Sequence, residues 1–425
     1  MKRFFKIIGV LFLLLILTGV VFFVSKNEAL PIGKKGKDAD ALATKMLQAM
    51  NSDAYNNTEV LEWSFRNEHH YKWFKNQNRV RVSWGKNSVD LNTFSPAESS
   101  VFIDNQKIDN KEMIATATAY FNNDSFWLVA PYKIFDAGTE RSIVKHQGKD
   151  ALLVTYTSGG TTPGDSYLWI LADSGLPISF KMWTQIIPIG GIEASWNSLK
   201  TTASGILLPT SHTLSLFGMK LPMGNVKSYN PKANALAHKI LKAIKHDKYK
   251  TTNHIAWSFG GRRSYEWDKA QHIVSVSWDS IRVVLHPNNL EKSSIYFNNK
   301  ISATENKQLI TKATNLFNND SFWLVAPHKL FEKGIIRSIQ TEAGKEALLV
   351  KYTTGGTTPG DSYLWLLDEN FIPKSYKMFV PSMKMEGVPA TWDQWITTES
   401  GTLLPTSHSF GGGRKLSMGD VKATI

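Results

Sequence analysis

Read as a pattern of apolar and polar positions, the chain contains three kinds of segment. The first is a solid block. Residues 7–24 read IIGVLFLLLILTGVVFFV, eighteen positions without a charge, preceded by Lys2, Arg3 and Lys6. At 1.5 Å per residue a helix of that length spans about 27 Å, sufficient for a bilayer core. A secretory signal has a shorter apolar region and a small-x-small cleavage site, and the following SKNEALPIGKKGK offers none. The expectation is an uncleaved signal anchor with its linker over residues 1–37, a single-pass protein of the cell envelope whose C-terminal body is exported. Cleavage, leaving a secreted or periplasmic body, is the alternative.

The second kind of segment repeats at helical spacing. Leu42, Met46, Leu47 and Met50 predict one helix, and Met113, Ile114, Ala117 and Phe121 in KEMIATATAYF predict another. The third kind alternates. In RVRVSW (79–84), Val80, Val82 and Trp84 interleave with Arg79, Arg81 and Ser83, giving a strand with one dry and one wet face. SSVFIDNQKI (99–108) predicts another strand with a turn at Asp104 and Asn105. ALLVTYT, SYLWIL and ISFKMW are further antiparallel strands, and ASWNSLKT with ILLPTSHTL makes a last pair.

All of this occurs twice. FNNDSFWLVAP at 121–131 returns at 317–327, YTSGGTTPGDSYLW at 156–169 returns almost unchanged at 352–365, and LLPTSH at 207–212 returns at 403–408, each 196 residues later. Nearer the start of each copy the shift is 194, relating Trp63 to Trp257 and Trp84 to Trp278. Leu236, Ile240, Leu241 and Ile244 repeat the first helix, and Leu309, Ile310, Ala313 and Phe317 the second. A period of this size is a domain duplication, far too long for a solenoid. The expected domains are 38–228 and 233–423, hinged at SYNP (228–231), each with two or three helices and about nine to eleven strands. Within the eleven-residue string, Asn122, Asn123 and Asp124 are poor inside helices and good at caps. They predict that the second helix ends there and that Asp124 caps a short apolar segment closed by Pro131.

Composition changes the picture in three places. There is no Cys, which removes disulfides, thiolate zinc sites, cysteine nucleophiles and a lipidated cysteine. Net charge is +13, of which residues 1–38 supply +5 (seven Lys/Arg against Glu28 and Asp38), leaving +8 for the body. Those charges are scattered and accompanied by no recognition motif, so nucleic acid is not an expected partner. Fourteen Trp is a heavy load, and six pairs survive the duplication: Trp63/Trp257, Trp73/Trp267, Trp84/Trp278, Trp127/Trp323, Trp169/Trp365 and Trp196/Trp392.

A helix, a run of meandering strands, a central helix pair with an apolar FWLVAP-like segment, then more antiparallel strands: this order resembles the bacterial lipoprotein carrier (LolA/LolB-like) superfamily. The resemblance covers each copy almost end to end. It implies an α+β fold in which each domain is a curved antiparallel sheet, a half-open barrel, with two or three helices on its concave face. It also implies an aromatic-lined hollow suited to lipid. The twelve paired Trp are then candidate walls of an apolar cavity for a lipid, an acyl chain or another apolar ligand; equally, such rings fill cores.

Other chemistry is thinner. GGTTPGD lacks the G-K-[ST] ending of a phosphate loop and lies between two strands, so it reads as a hairpin connection. Ser166, His212 and Asp165, or Ser362, His408 and Asp361, could be imagined as a hydrolase set, but no G-x-S-x-G elbow surrounds the serines. Asp124 with Asp165 could be imagined as a glycosidase pair. His69 and His70 raise a metal question that Arg263 and Ser264 in the second copy answer negatively, and no metal or cofactor motif occurs. Arg262 and Arg263, beside Gly260 and Gly261, read as a solvated turn. The reading is a non-catalytic, membrane-anchored binder of apolar ligands in the bacterial envelope; an extracytoplasmic hydrolase acting on glycans or esters, or a structural envelope protein, are the alternatives.

Overall fold

The structure is a computed structural model describing residues 17, 23–158, 163–303, 306–354 and 359–425. The expected membrane span, residues 7–24, lies for the most part outside them. None of the helices among the described residues is long and apolar enough to cross a membrane. The chain divides into two compact units, Met1–Tyr229 and Asn230–Ile425.

In the first unit, seven antiparallel strands form one sheet in the order Lys227–Tyr229, Val60–Phe65, His69–Phe74, Arg79–Trp84, Asn87–Asn92, Ser100–Ile103 and Gln106–Ile108. A six-stranded antiparallel sheet follows the order Lys34–Lys35, Thr139–His146, Lys149–Tyr156, Ser166–Leu171, Pro177–Trp183 and Ile192–Ser195. Two short pairs complete the unit. The alternation holds where it was expected: Val80 and Val82 are buried while Arg81 is exposed. Asp104 and Asn105 take φ of 47° and 64°, the left-handed values a two-residue hairpin requires.

The second unit repeats the plan with seven-, five- and three-stranded sheets. Its last strand, Lys422–Thr424, pairs with its first, His254–Phe259, as Lys227–Tyr229 pairs with Val60–Phe65. The architecture is thus mostly antiparallel, but each unit is several sheets, none closed, where one continuous curved sheet was expected. The strands are also shorter and more numerous than the pattern implied, because bulges and turns divide the final segment of each copy.

Two helices organise each unit. Lys37–Ala49 buries Ala39, Ala43 and Met46 against the six-stranded sheet, and Pro231–Ala243 buries Ala233, Leu236, Ala237 and Ile240 in the same way. The second helix does not stop at the asparagines. It runs without a break through Lys111–Val129, and its copy through Lys307–Val325. The capping residue is Asn110, whose side chain accepts from the Met113 N–H at 3.0 Å; Asn306 does the same for Leu309 at 3.1 Å. Asp124 lies well inside the helix on the buried stripe Ala117, Phe121, Asp124 and Leu128. Phe121 and Leu128 enter the core of the seven-stranded sheet, while Phe126 and Trp127 pack against that of the six-stranded one.

Candidate functional site

A carboxylate on a buried helical face needs partners, because burying an uncompensated charge costs several kcal/mol. Asp124 has them. Tyr71 donates its hydroxyl at 2.5 Å, His69 Nδ1 lies at 2.7 Å and the Asn123 amide at 2.8 Å. Tyr71 and His69 are two residues apart on one strand and so share a face. In the second unit, Asp320 receives the hydroxyl of Tyr265, the Arg263 guanidinium at 2.6 and 3.2 Å, and the Asn319 amide at 2.8 Å. Burial and the adjacent carboxylate push Tyr71 and Tyr265 well above the ordinary tyrosine range. Arg263 therefore belongs to strand Arg263–Asp268 and to an ion pair, in place of the solvated turn expected for it. Trp63 stacks on Tyr71 and Trp257 on Tyr265, with centroids 4.4 and 4.6 Å apart. These clusters latch the long helix to its sheet.

The imagined hydrolase set is not assembled. Backbone carbonyls of Ser195 and Trp127 stand 2.8 Å from the two ring nitrogens of His212, and burial holds its pKa below the usual value. Ser166 Oγ lies 2.9 Å from Thr155 Oγ1, and Asp165 accepts from the Gln185 N–H at 2.9 Å. His408 likewise faces the Thr391 carbonyl at 2.8 Å. GGTTPGD joins two directly paired antiparallel strands, with Ser166 opposite Thr155, as a hairpin connection should; residues 159–162 and 355–358 fall outside the described residues. Gly164 and Gly360 both take φ of 108°, which suits the residue after proline in a type II turn. Among the described residues no group of three or more His, Asp or Glu could hold a metal ion.

The second unit holds a cavity of about 830 Å³. One wall is the long helix, through Phe317, Phe322 and Trp323. The opposite wall is the five-stranded sheet, through Tyr352, Tyr363, Met378 and Val380. Met383, Met385 and Val388, from the turn and edge strand after Val380, and Phe410, from the segment joining the last two strands of the three-stranded sheet, complete it. Met383 is 62% exposed, so this side opens outward. In the first unit Ile187, at the place of Met383, packs against the cluster of Trp169 and Phe180, while Ile189 and its counterpart Met385 both pack on their own cores.

Of the twelve paired Trp, Trp323 stands in the wall of this cavity. Trp63, Trp169, Trp196, Trp257, Trp278, Trp365 and Trp392 are buried in the cores. Trp169 meets Trp196 edge-on at 5.1 Å, and Trp365 approaches Trp392 at 6.0 Å. Trp73 and Trp267 set their edges against Phe121 and Phe317, Trp84 against Tyr120, and Trp127 tilts over Phe180. Pattern reasoning singled out the indoles and passed over Phe322, Met378, Val380 and Phe410; their membership needed the pairing of sheet to helix, which no local signal carries.

Compared with known protein families and with curated proteins, the chain matches none. Among solved structures it is similar to a DUF1329 family protein from Desulfovibrio piger, at 10% identity and a TM-score of 0.27, over 45% of this chain and 93% of that one.

Proposed function

We propose that the protein binds a lipid, an acyl chain or another apolar ligand without transforming it, as a lipoprotein-carrier-like component of the bacterial cell envelope tethered through residues 7–24. The observation that carries this reading is the cavity of the second unit. Its volume of about 830 Å³ lies in the upper part of the range for small-molecule sites, about 300–1,000 Å³. Its facing helix and sheet walls carry Phe, Trp, Tyr, Met and Val, polar and charged side chains also line it, and it opens between a helix and an unclosed sheet. Thioethers at Met378, Met383 and Met385 suit an apolar guest of irregular shape, because Met adapts to what it touches.

The test is extraction of the purified full chain followed by mass spectrometry of the extract. Lipid at about one molecule per chain is expected, and Met378→Trp, which fills the hollow from the sheet side, should abolish it while the far-ultraviolet circular dichroism stays the same. Wild-type protein that carries no lipid and takes up no apolar fluorescent probe would sink the reading.

A further inference from the structure

We infer that the cavity of the second unit takes a single-tailed amphiphile with an anionic head, carboxylate or phosphate, held at the mouth by Lys333 and Arg414. The inference rests on reading this cavity as an apolar-ligand site and adds the chemistry of the head.

The charged side chains lining the cavity are Lys329, Lys333, Arg414 and Lys415 against Glu332 and Asp361, four positive and two negative. The two carboxylates do not balance the mouth. Glu332 is engaged with Lys329 at 3.7 Å, and Asp361 is buried, accepting from the Tyr363 hydroxyl at 3.4 Å. Lys333, Arg414 and Lys415 are exposed and make no ion pair among the described residues. Positive charge at the lip of a low-dielectric hollow concentrates its field on whatever sits there. An anionic head at that point would be held while its tail lay against Phe322, Trp323 and Met378.

The duplication supplies an internal control. Lys329 and Lys415 have counterparts in Lys133 and Lys220, so they came with the ancestral unit. Lys333 and Arg414 stand where the first unit has Ala137 and Met219. Arg414 follows a tight turn at Gly412 and Gly413, with φ of 75° and 76°, and the first unit makes the same turn at Phe217 and Gly218, with φ of 58° and 61°, before Met219. Of the four cations that line the cavity, the two without a counterpart in the first unit are thus both exposed ones at its mouth. The volume admits one long tail.

The experiment is native mass spectrometry of the full chain with oleate, oleoyl lysophosphatidate and oleyl alcohol, on wild type and on the double variant Lys333→Ala/Arg414→Met. Both changes are at exposed positions and install residues the first unit already tolerates. The anions should bind about ten-fold tighter than the alcohol, and the double variant should remove that advantage without changing alcohol binding. A preference between the two anions supports the inference and names the head. Equal binding of all three ligands, or a double variant that keeps the anion preference, overturns the anionic head and leaves the apolar site standing. Binding of none of them overturns the site as well.

Discussion

At His328 the two copies solve one packing problem with different chemistry. In the first unit Tyr132 stacks on Tyr55 at 4.5 Å and its hydroxyl has the carbonyls of Met50 and Leu207 as acceptors at 2.9 and 2.8 Å, one proton serving the two. In the second, His328 stacks on Tyr249 at 4.3 Å and its Nε2 donates to the Leu403 carbonyl at 2.9 Å. Burial first, with His246 and Lys269 nearby adding to it, pushes His328 down to about 3. An unfolded His takes its proton near 6.5. Between those values the unfolded chain holds the extra proton, so stability falls as pH falls, by about 1.4 kcal/mol per unit below about 6.5. His212 and His408 are also held down by burial, but they occupy matching places and load both units alike. The second unit should therefore weaken more steeply than the first between pH 7 and 5. Urea midpoints followed by hydrogen exchange in each unit measure this, and His328→Tyr should bring the two slopes closer, leaving the contribution of His246, which burial also holds down. An unchanged slope in that variant would count against the assignment.

At the scale of elements, most of each copy was legible because it is written in local periodicity: the first helix, the strand at 79–84 and the hairpin at Asp104. The long helix was misread for a physical reason. Asn, Asn and Asp in sequence each lower helix propensity by up to about 0.7 kcal/mol, which suggests a break. The force that overrides them comes from Tyr71 and His69, 53 and 55 residues away, which bind the carboxylate only once the sheet has formed. The strap preceding the first domain was equally invisible. Glu28 lies across the hairpin of the six-stranded sheet: its backbone N–H donates to the Gly190 carbonyl at 2.9 Å, and its carbonyl accepts from the Trp183 indole at 2.8 Å. Its carboxylate meets Lys181 at 2.7 Å, and Lys34–Lys35 then adds an edge strand beside Thr139–His146. A Cβ on Gly190 would stand 2.5 Å from the Trp183 ring and 2.6 Å from the Glu28 carbonyl, too close for either. Gly190→Ala should therefore detach residues 27–35, raising their amide exchange about ten-fold while the strands at 149–183 stay protected. Unaltered exchange in that segment would show that the strap is held elsewhere.

On the scale of the whole molecule the repeat was plain in the letters, whereas the difference between the copies was not. In the second unit the aromatic string lines a hollow, and that turns on how the hairpin beyond Phe379 lies, which the sequence does not spell out. What the duplication does dictate is how each unit closes. In both, the final strand returns to pair with the earliest strand of its unit's seven-stranded sheet: Ser228 opposite Leu61, and Ala423 opposite Ile255. Among the described residues no strand pairing crosses the junction between Tyr229 and Asn230. Val421 and Ala423 are buried, so the last few residues complete a core as well as a sheet. Chain cut at that junction should yield two pieces that fold separately, each with a cooperative thermal transition like the one it shows in the intact protein. Removing residues 421–425 should instead destabilise the second unit by about 2–4 kcal/mol through lost apolar burial and unpaired edge groups, leaving the first unit's transition in place. Calorimetry on the two fragments and on the truncated chain distinguishes these outcomes. If either half failed to fold alone, closure by its own terminal strand would not be sufficient, and the two copies would have to be regarded as one cooperative structure.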